Sequence, residues 1–210
     1  MTTRVLLATR NPEKLVELRR IIDATDLDVE LVGIDEIADA PEVDETGTSF
    51  SANALLKARV LAEHSGLPTI ADDSGLCVDA LNGMPGILSA RWSGTHGDDA
   101  ANLHLLLGQL SDVSDERRDA HFVCAAAVVV PAAANAAADT PHQERVVDGT
   151  LEGCLTRAPR GENGFGYDPV FRAYGESRTT AEMSSTEKDA ISHRGKALRA
   201  LVPVLRELLT

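Results

Sequence analysis

Apolar positions along the chain recur with two periods. Arg4–Thr9 (RVLLAT) is a short apolar run that reads as a buried strand. Behind it Leu15, Leu18, Ile21 and Ile22 return at helical spacing. Asn11 can cap that helix and Pro12 suits its first position. Val29–Ile34 reads as a second strand. Phe50, Ala54, Ala58 and Leu61 then share one face of a helix opened by Thr48 or Ser49 and running to about Ser65. Asn53 and Lys57, four apart, project together from another part of its surface. Leu67–Asp72 and Leu76–Leu81 read as two strands on either side of an Asp73-Ser74-Gly75 turn. Asp98 or Asp99 opens a helix through Leu103, Leu106, Leu107 and Leu110.

Ala120–Val130 and Arg145–Thr156 read as hairpin strands, joined by an alanine-rich connector from Pro131 to Pro141 that is expected to be a surface loop. Gly161, Gly164 and Gly166 mark another loop. Ala197, Leu198, Leu201, Val202, Leu205 and Leu208 give a last helix, with Ser192 as its cap and Pro203 expected to kink it. Strands and helices alternate early and long strands follow. The expected fold is therefore α/β, a mixed central sheet flanked by helices. No internal repeat is visible.

Composition narrows this picture. Apolar residues make up 43 % of the 210 but aromatics only 3 %, so the core must be built of Leu, Val, Ile and Ala. The longest uncharged stretch, Phe122–Ala138, contains Pro131 and Asn135 and is mostly alanine, unlike the roughly 20 strongly apolar residues of a membrane span. Met1–Arg10 has no extended apolar region, so no signal peptide is read. Cys77, Cys124 and Cys154 fit neither a disulfide framework nor a zinc pair, and they suit free thiols in a cytoplasmic protein. Twenty basic residues against 33 acidic ones give a net charge of −13, which repels nucleic acid. A small anionic substrate then needs its basic residues concentrated at one place, together with a divalent cation.

Five segments carry candidate chemistry. In Thr9-Arg10-Asn11-Pro12-Glu13-Lys14 a strand gives way to a helix, whose N-terminal amides and the Lys14 charge suit phosphate; an ordinary capped helix has the same look. No P-loop spacing is present. In Asp72-Asp73-Ser74-Gly75 adjacent carboxylates at a strand end call for a cation, and Mg²⁺ takes oxygen ligands of this kind. One of the two could also accept a proton from water, although Asp-Ser-Gly is common in turns. Asp44-Glu45 could supply a second carboxylate to the same ion, or simply favour a helix start. The stretch from Gly161 to Phe171 places three of the chain's seven aromatic residues beside three glycines, a loop in which an aromatic ring could stack on a base. Lys188, His193 and Arg194 gather basic charge around a helix start, against the usual preference of that end.

In this order the five segments resemble the inosine-triphosphate pyrophosphatase family. The motifs are ATRNPEK, ADDSGLCVDAL, GMPGILSARWSG, GFGYDP and EKDAISHRGKAL, covering the chain from about Val5 to Leu201. The resemblance implies a single domain of two lobes with an active-site cleft between them, and usually a homodimer. It implies Mg²⁺-dependent hydrolysis of ITP, dITP or XTP to the monophosphate and pyrophosphate. By position it makes Asp73 the general base and a metal ligand, with Asp44 or Glu45 as the second ligand. Ser74 would contact substrate, and Thr9, Arg10, Asn11, Pro12, Glu13, Lys14 and Lys57 would hold the triphosphate. Phe165, Gly166, Tyr167 and Asp168 would line the base pocket, and Lys188, His193 and Arg194 would complete recognition of the nucleotide. Two positions depart from the family pattern: Asp44 stands where many relatives have Glu, and Ala52 where they often have Glu. Other readings are a pyrophosphatase of pyrimidine or other modified nucleotides, a nucleotide-binding sensor without turnover, and an interaction module with no nucleotide affinity.

Overall fold

The computed structural model describes residues 2–25, 27–132 and 141–209. Among the described residues six strands and five α-helices follow in the order β1 (Thr3–Leu7), α1 (Pro12–Asp23), β2 (Val29–Gly33), α2 (Phe50–Ser65), β3 (Thr69–Val78), α3 (Asp99–Gln109), β4 (Asp119–Val130), β5 (Gln143–Leu155), β6 (Phe171–Ala173), α4 (Ser185–Ile191) and α5 (His193–Leu209). The strands form one sheet in the order β2-β1-β3-β4-β5-β6. β1 runs parallel to both β2 and β3, whereas β5 and β6 are antiparallel, so the sheet is mixed as expected.

The chain divides into two units. The first comprises residues 1–73, 125–149 and 197–210, and the second residues 74–124 and 150–196. In the first, Leu6, Val32, Leu61 and Val129 pack with a set of buried alanines at 54, 58, 62, 71, 125 and 127. With so few aromatics to spend, this core is filled by small side chains that let helix and strand backbones come close. In the second unit Leu76, Val78, Leu103, Leu106, Leu110, Leu151 and Leu155 surround Phe122, Tyr167 and Phe171. The Phe122 and Phe171 rings lie 4.6 Å apart at 54°, a tilted pair. Arg118 is buried there and donates to the carbonyls of Leu110 (2.7 Å), Leu155 (3.1 Å) and Thr156 (3.2 Å), tying the end of α3 to the end of β5.

Helix boundaries follow the capping chemistry. Asn11 Oδ1 accepts from the amides of Glu13 (2.9 Å) and Lys14 (3.2 Å), and Pro12 opens α1. Ser49, not Thr48, caps α2, and Asp98, not Asp99, caps α3. Ser192 accepts from the Gly195 amide at 2.9 Å and starts α5, which continues on both sides of Pro203. Of the 131–141 connector, residues 133–140 lie outside the described part.

One expectation is overturned. β3 runs without a break through Asp73-Ser74-Gly75, where a turn between two strands was predicted. An aspartate favours a turn when its side chain bonds the backbone two residues on. Here both carboxylates are engaged by distant side chains (Lys14 and Asn53), so the backbone stays extended. The short elements β6 and α4 carry too little periodicity to be read. A reciprocal bond pair between Ser184 and Glu187 nevertheless marks the start of α4.

Where β5 meets β6, buried Gly153 faces the Arg172 backbone, and an added Cβ would overlap the Arg172 carbonyl and stand 2.8 Å from Phe171 Cζ. Gly153→Ala should therefore destabilise the protein by about 1–3 kcal/mol or more, the range for overpacking. A shifted urea midpoint with unchanged slope would register this; an unchanged midpoint would show that the strand pair can spread.

Candidate active site

Successive side chains on a strand point to opposite faces, so Asp72 and Asp73 leave β3 in different directions and find different partners. Both are buried. Asp72 Oδ2 accepts from Lys14 Nζ at 2.9 Å, across 58 residues of sequence. Lys14 sits one turn into α1, where Asn11 fixes the helix start and Thr9 Oγ1 in turn accepts from the Asn11 amide at 3.2 Å.

Asp73 is served by α2. Asn53 and Lys57, one helical turn apart as their spacing predicts, both reach it. Asn53 Nδ2 donates to Asp73 Oδ2 at 2.9 Å, and Lys57 Nζ lies 3.9 Å from Asp73 Oδ1. The same ammonium donates to Glu45 Oε1 at 2.8 Å. Glu45 comes from the Asp44–Gly47 turn, and the Gly47 amide donates to Asn53 Oδ1 at 2.7 Å. Gly47 has no room for a side chain: a Cβ there would stand 2.6 Å from Asn53 Oδ1 and 2.9 Å from Ala52 Cβ.

The electrostatics follow from this crowding. Burial pushes the Asp73 carboxyl above its ordinary range. The Lys57 charge opposes that shift, the Glu45 charge adds to it, and the Asn53 hydrogen bond and Lys14 pull it back down. Burial works against the Lys57 charge, but Asp73, Asp72 and Glu45 outweigh it and raise its pKa.

Four predicted residues of the first unit are placed away from the cluster's short contacts. Arg10 is exposed and donates to the Ala40 carbonyl at 2.9 Å. Pro12 and Glu13 are exposed on the first turn of α1, and Asp44 is exposed with its carbonyl accepting from the Thr46 amide.

In the second unit Asp168 organises the glycine-rich loop. It is buried, accepts from the Phe165 amide (2.9 Å), Thr180 Oγ1 (2.7 Å) and Lys188 Nζ (2.6 Å), and so fixes the loop from three sides. Gly164, at φ 73°, admits this arrangement, since a Cβ there would overlap the Asp168 carboxylate. The result is a half-buried Phe165 ring with two cations beside it, Lys188 Nζ 5.2 Å and Arg194 Cζ 5.4 Å from its centre. Arg194 also donates to Ser74 Oγ at 3.4 Å. His193 is buried and stacks on Phe122, with centroids 4.7 Å apart and planes 11° from parallel. Tyr167 is a core residue whose hydroxyl donates to the Ser89 carbonyl at 2.9 Å, and burial raises its pKa.

Sequence reasoning missed three members of these clusters. Asn53 was seen only as a neighbour of Lys57 on a helix surface. Asp99, read as a helix opener, accepts from the Gly166 amide at 2.8 Å and anchors the aromatic loop to α3. Thr180 had no signal at all.

The sequence matches the Ham1 family over residues 5–204, and the chain belongs to that family. It is 58 % identical over 207 residues to a dITP/XTP pyrophosphatase of Streptomyces coelicolor, covering 99 % of each chain. It is 55 % identical to one from Mycobacteroides abscessus, covering 98 % of this chain and 96 % of the other. Among solved structures, a HAM1 protein from Coxiella burnetii superposes with a TM-score of 0.84 at 40 % identity, covering 98 % of this chain and 99 % of that one. The Staphylococcus aureus Ham1 protein gives 0.82 at 36 % identity with the same coverage.

A raised carboxyl has a consequence for stability. The folded state holds the Asp73 proton more tightly than the unfolded chain does. Its ionisation therefore disfavours the fold, an effect absent at low pH that sets in as pH rises through the ordinary carboxylate range and is complete above the folded pKa. Asp73→Asn should consequently melt at or above the wild-type temperature at pH 7 in a chelator. A clearly lower melting temperature would mean that the ionised carboxylate stabilises the cluster.

Proposed function

We propose that this chain hydrolyses non-standard purine nucleoside triphosphates (ITP, dITP and XTP) to the monophosphate and pyrophosphate, with Asp73 as general base. The observation that carries the reading is the set Lys14–Asp72 and Lys57–Glu45–Asp73, half-buried cations and Glu45 around two buried aspartates, in a chain otherwise strongly acidic. Its support is the shared name, dITP/XTP pyrophosphatase, of relatives 52–59 % identical along nearly the whole chain.

The donor set fits a hard divalent cation. Glu45 and Asp73 converge on one ammonium, 2.8 and 3.9 Å away, and burial with the neighbouring Glu45 charge holds Asp73 above its ordinary pKa. Among the described residues no three His, Cys, Asp or Glu side chains gather as a cage. Two carboxylates completed by water and substrate oxygens suit Mg²⁺, which keeps several waters. Asp73 and Glu45 would hold it; Asp44, exposed on the same turn, is the less suited of the pair. When bound, the ion supplies charge neutralisation for the polyphosphate and polarises the scissile bond.

The protein's own groups do the rest. Lys14 and Lys57 neutralise phosphate oxygens and hold the leaving pyrophosphate, and Thr9 and Asn11 offer neutral hydrogen bonds at the start of α1. Asp73, desolvated on β3, accepts a proton from the water that attacks the α-phosphorus. Phe165 offers its face to the base. Arg194, beside that ring, presents N–H donors that suit the 6-oxo acceptor of hypoxanthine or xanthine, whereas the amino group of adenine would place donor against donor. His193 and Tyr167 shape the pocket from the core, and Lys188 and Asp168 set the position of Phe165. Ser74, next to Asp73, is bonded to Arg194 and adds a substrate contact. The protein is proposed to work as a cytoplasmic homodimer; no helix of the described residues is long and apolar enough to cross a membrane.

Pyrophosphate release measured across ITP, dITP, XTP, ATP, GTP and the pyrimidine triphosphates tests this directly. kcat/KM for ITP should exceed that for ATP by on the order of 10⁴, the discrimination available to a buried polar mismatch. Asp73→Asn should lower kcat by about 10²–10⁴. Equal rates for ITP and ATP would refute the pocket, and near wild-type turnover of the variant would remove Asp73 from its role.

A further inference from the structure

Asn53 is the least exposed polar side chain in the first unit's cluster and belongs to none of the phosphate, metal or base contacts just proposed. It is fully buried on α2, and its amide makes two bonds of opposite sense. Its Nδ2 donates to Asp73 Oδ2 at 2.9 Å, while its Oδ1 accepts from the Gly47 backbone at 2.7 Å. These two partners belong to the two segments that bear the carboxylates, β3 with Asp73 and the turn with Glu45.

From this bridge we infer that Asn53 is a positioning residue, fixing the Asp73 carboxylate and the Glu45 turn in one register on α2. The inference rests on the reading of Asp73 as general base.

Only asparagine satisfies both ends. A carboxylate and a backbone N–H require one donor and one acceptor on the same short side chain. Aspartate would face Asp73 with a second acceptor, alanine would reach neither, and glutamine is one methylene longer than the space shows. The amide orientation is set by the same logic, because turning it over would oppose donor to donor at Gly47 and acceptor to acceptor at Asp73. Gly47 shares the constraint, since the close approach of its backbone to Asn53 Oδ1 excludes any Cβ. A base displaced by about 1 Å from its water loses on the order of 10² in rate, which makes a rigid bridge at this point consequential.

The experiment is a double-mutant cycle in kcat and KM with ITP, using Asn53→Ala, Asn53→Asp, Asp73→Asn and each Asn53 change combined with Asp73→Asn. A thermal unfolding midpoint is taken for every protein. Asn53→Asp keeps the acceptor for Gly47 and loses the donor to Asp73, so it serves as the variant that retains the turn. Both Asn53 variants should lose about 10–100-fold in kcat with KM within about 3-fold of wild type. In the Asp73→Asn background the same changes should alter kcat by less than about 3-fold, because a residue acting through Asp73 has nothing left to position.

If the Asn53 changes are as costly in that background as in wild type, or if they act on KM alone, Asn53 is a structural or binding residue and the inference falls. If Asp73→Asn keeps wild-type turnover, it is the assignment of the base that fails. If Asp73→Asn is slow while both Asn53 variants are fast, only the positioning role is lost.

Discussion

Two adjacent carboxylates buried on an internal strand are the constraint around which the first unit is arranged. Burying one ionised acid is expensive unless it is paired and hydrogen-bonded, and β3 buries two in succession. The alternation of the strand separates them, one toward Lys14 and the other toward Asn53 and Lys57. Each partner must then arrive from a helix of fixed register. α1 starts where Asn11 and Pro12 put it, so Lys14 lies one turn in. α2 starts at Ser49, so Asn53 and Lys57 fall on the same side, one turn apart. The caps thus determine which charges meet the strand.

The second unit solves a related problem with one carboxylate. Asp168 is buried with three donors on it, and through them the loop from Gly161 to Tyr167 acquires a shape that its three glycines alone would leave undetermined. The aromatic ring at 165 sits where two cations flank it. Both units therefore bury an acid and surround it with donors. At Asp168 the acid is the scaffold; at Asp73 the acid is the group being held, and burial keeps its pKa raised.

Much of this was legible in the sequence because helix starts announce themselves. Asn11-Pro12, Ser49 and Ser192 were read at or beside their observed positions, and the i, i+4 pairing of Asn53 with Lys57 followed from spacing alone. The five chemical segments were found because unusual residue pairs stand out: adjacent acids, an aromatic cluster in an aromatic-poor chain, basic residues at a helix start. What could not be read was decided by tertiary contact. Asp73-Ser74-Gly75 has the composition of a turn, and only the distant Lys14 and Asn53 keep it extended. Thr180 and Asp99 look ordinary until the loop is folded onto them. That Lys14 would bond Asp72 could not be read either, because sequence order says nothing about which face of a strand a helix will meet.

The central claim is that the cluster around Asp73 directs water at the α-phosphorus of a nucleoside triphosphate. Turnover of ITP in H₂¹⁸O, with the products separated and weighed by mass spectrometry, addresses it most directly. One ¹⁸O atom in the nucleoside monophosphate and none in the pyrophosphate is the result this account predicts. Label in the pyrophosphate, or release of single orthophosphates in its place, would contradict it.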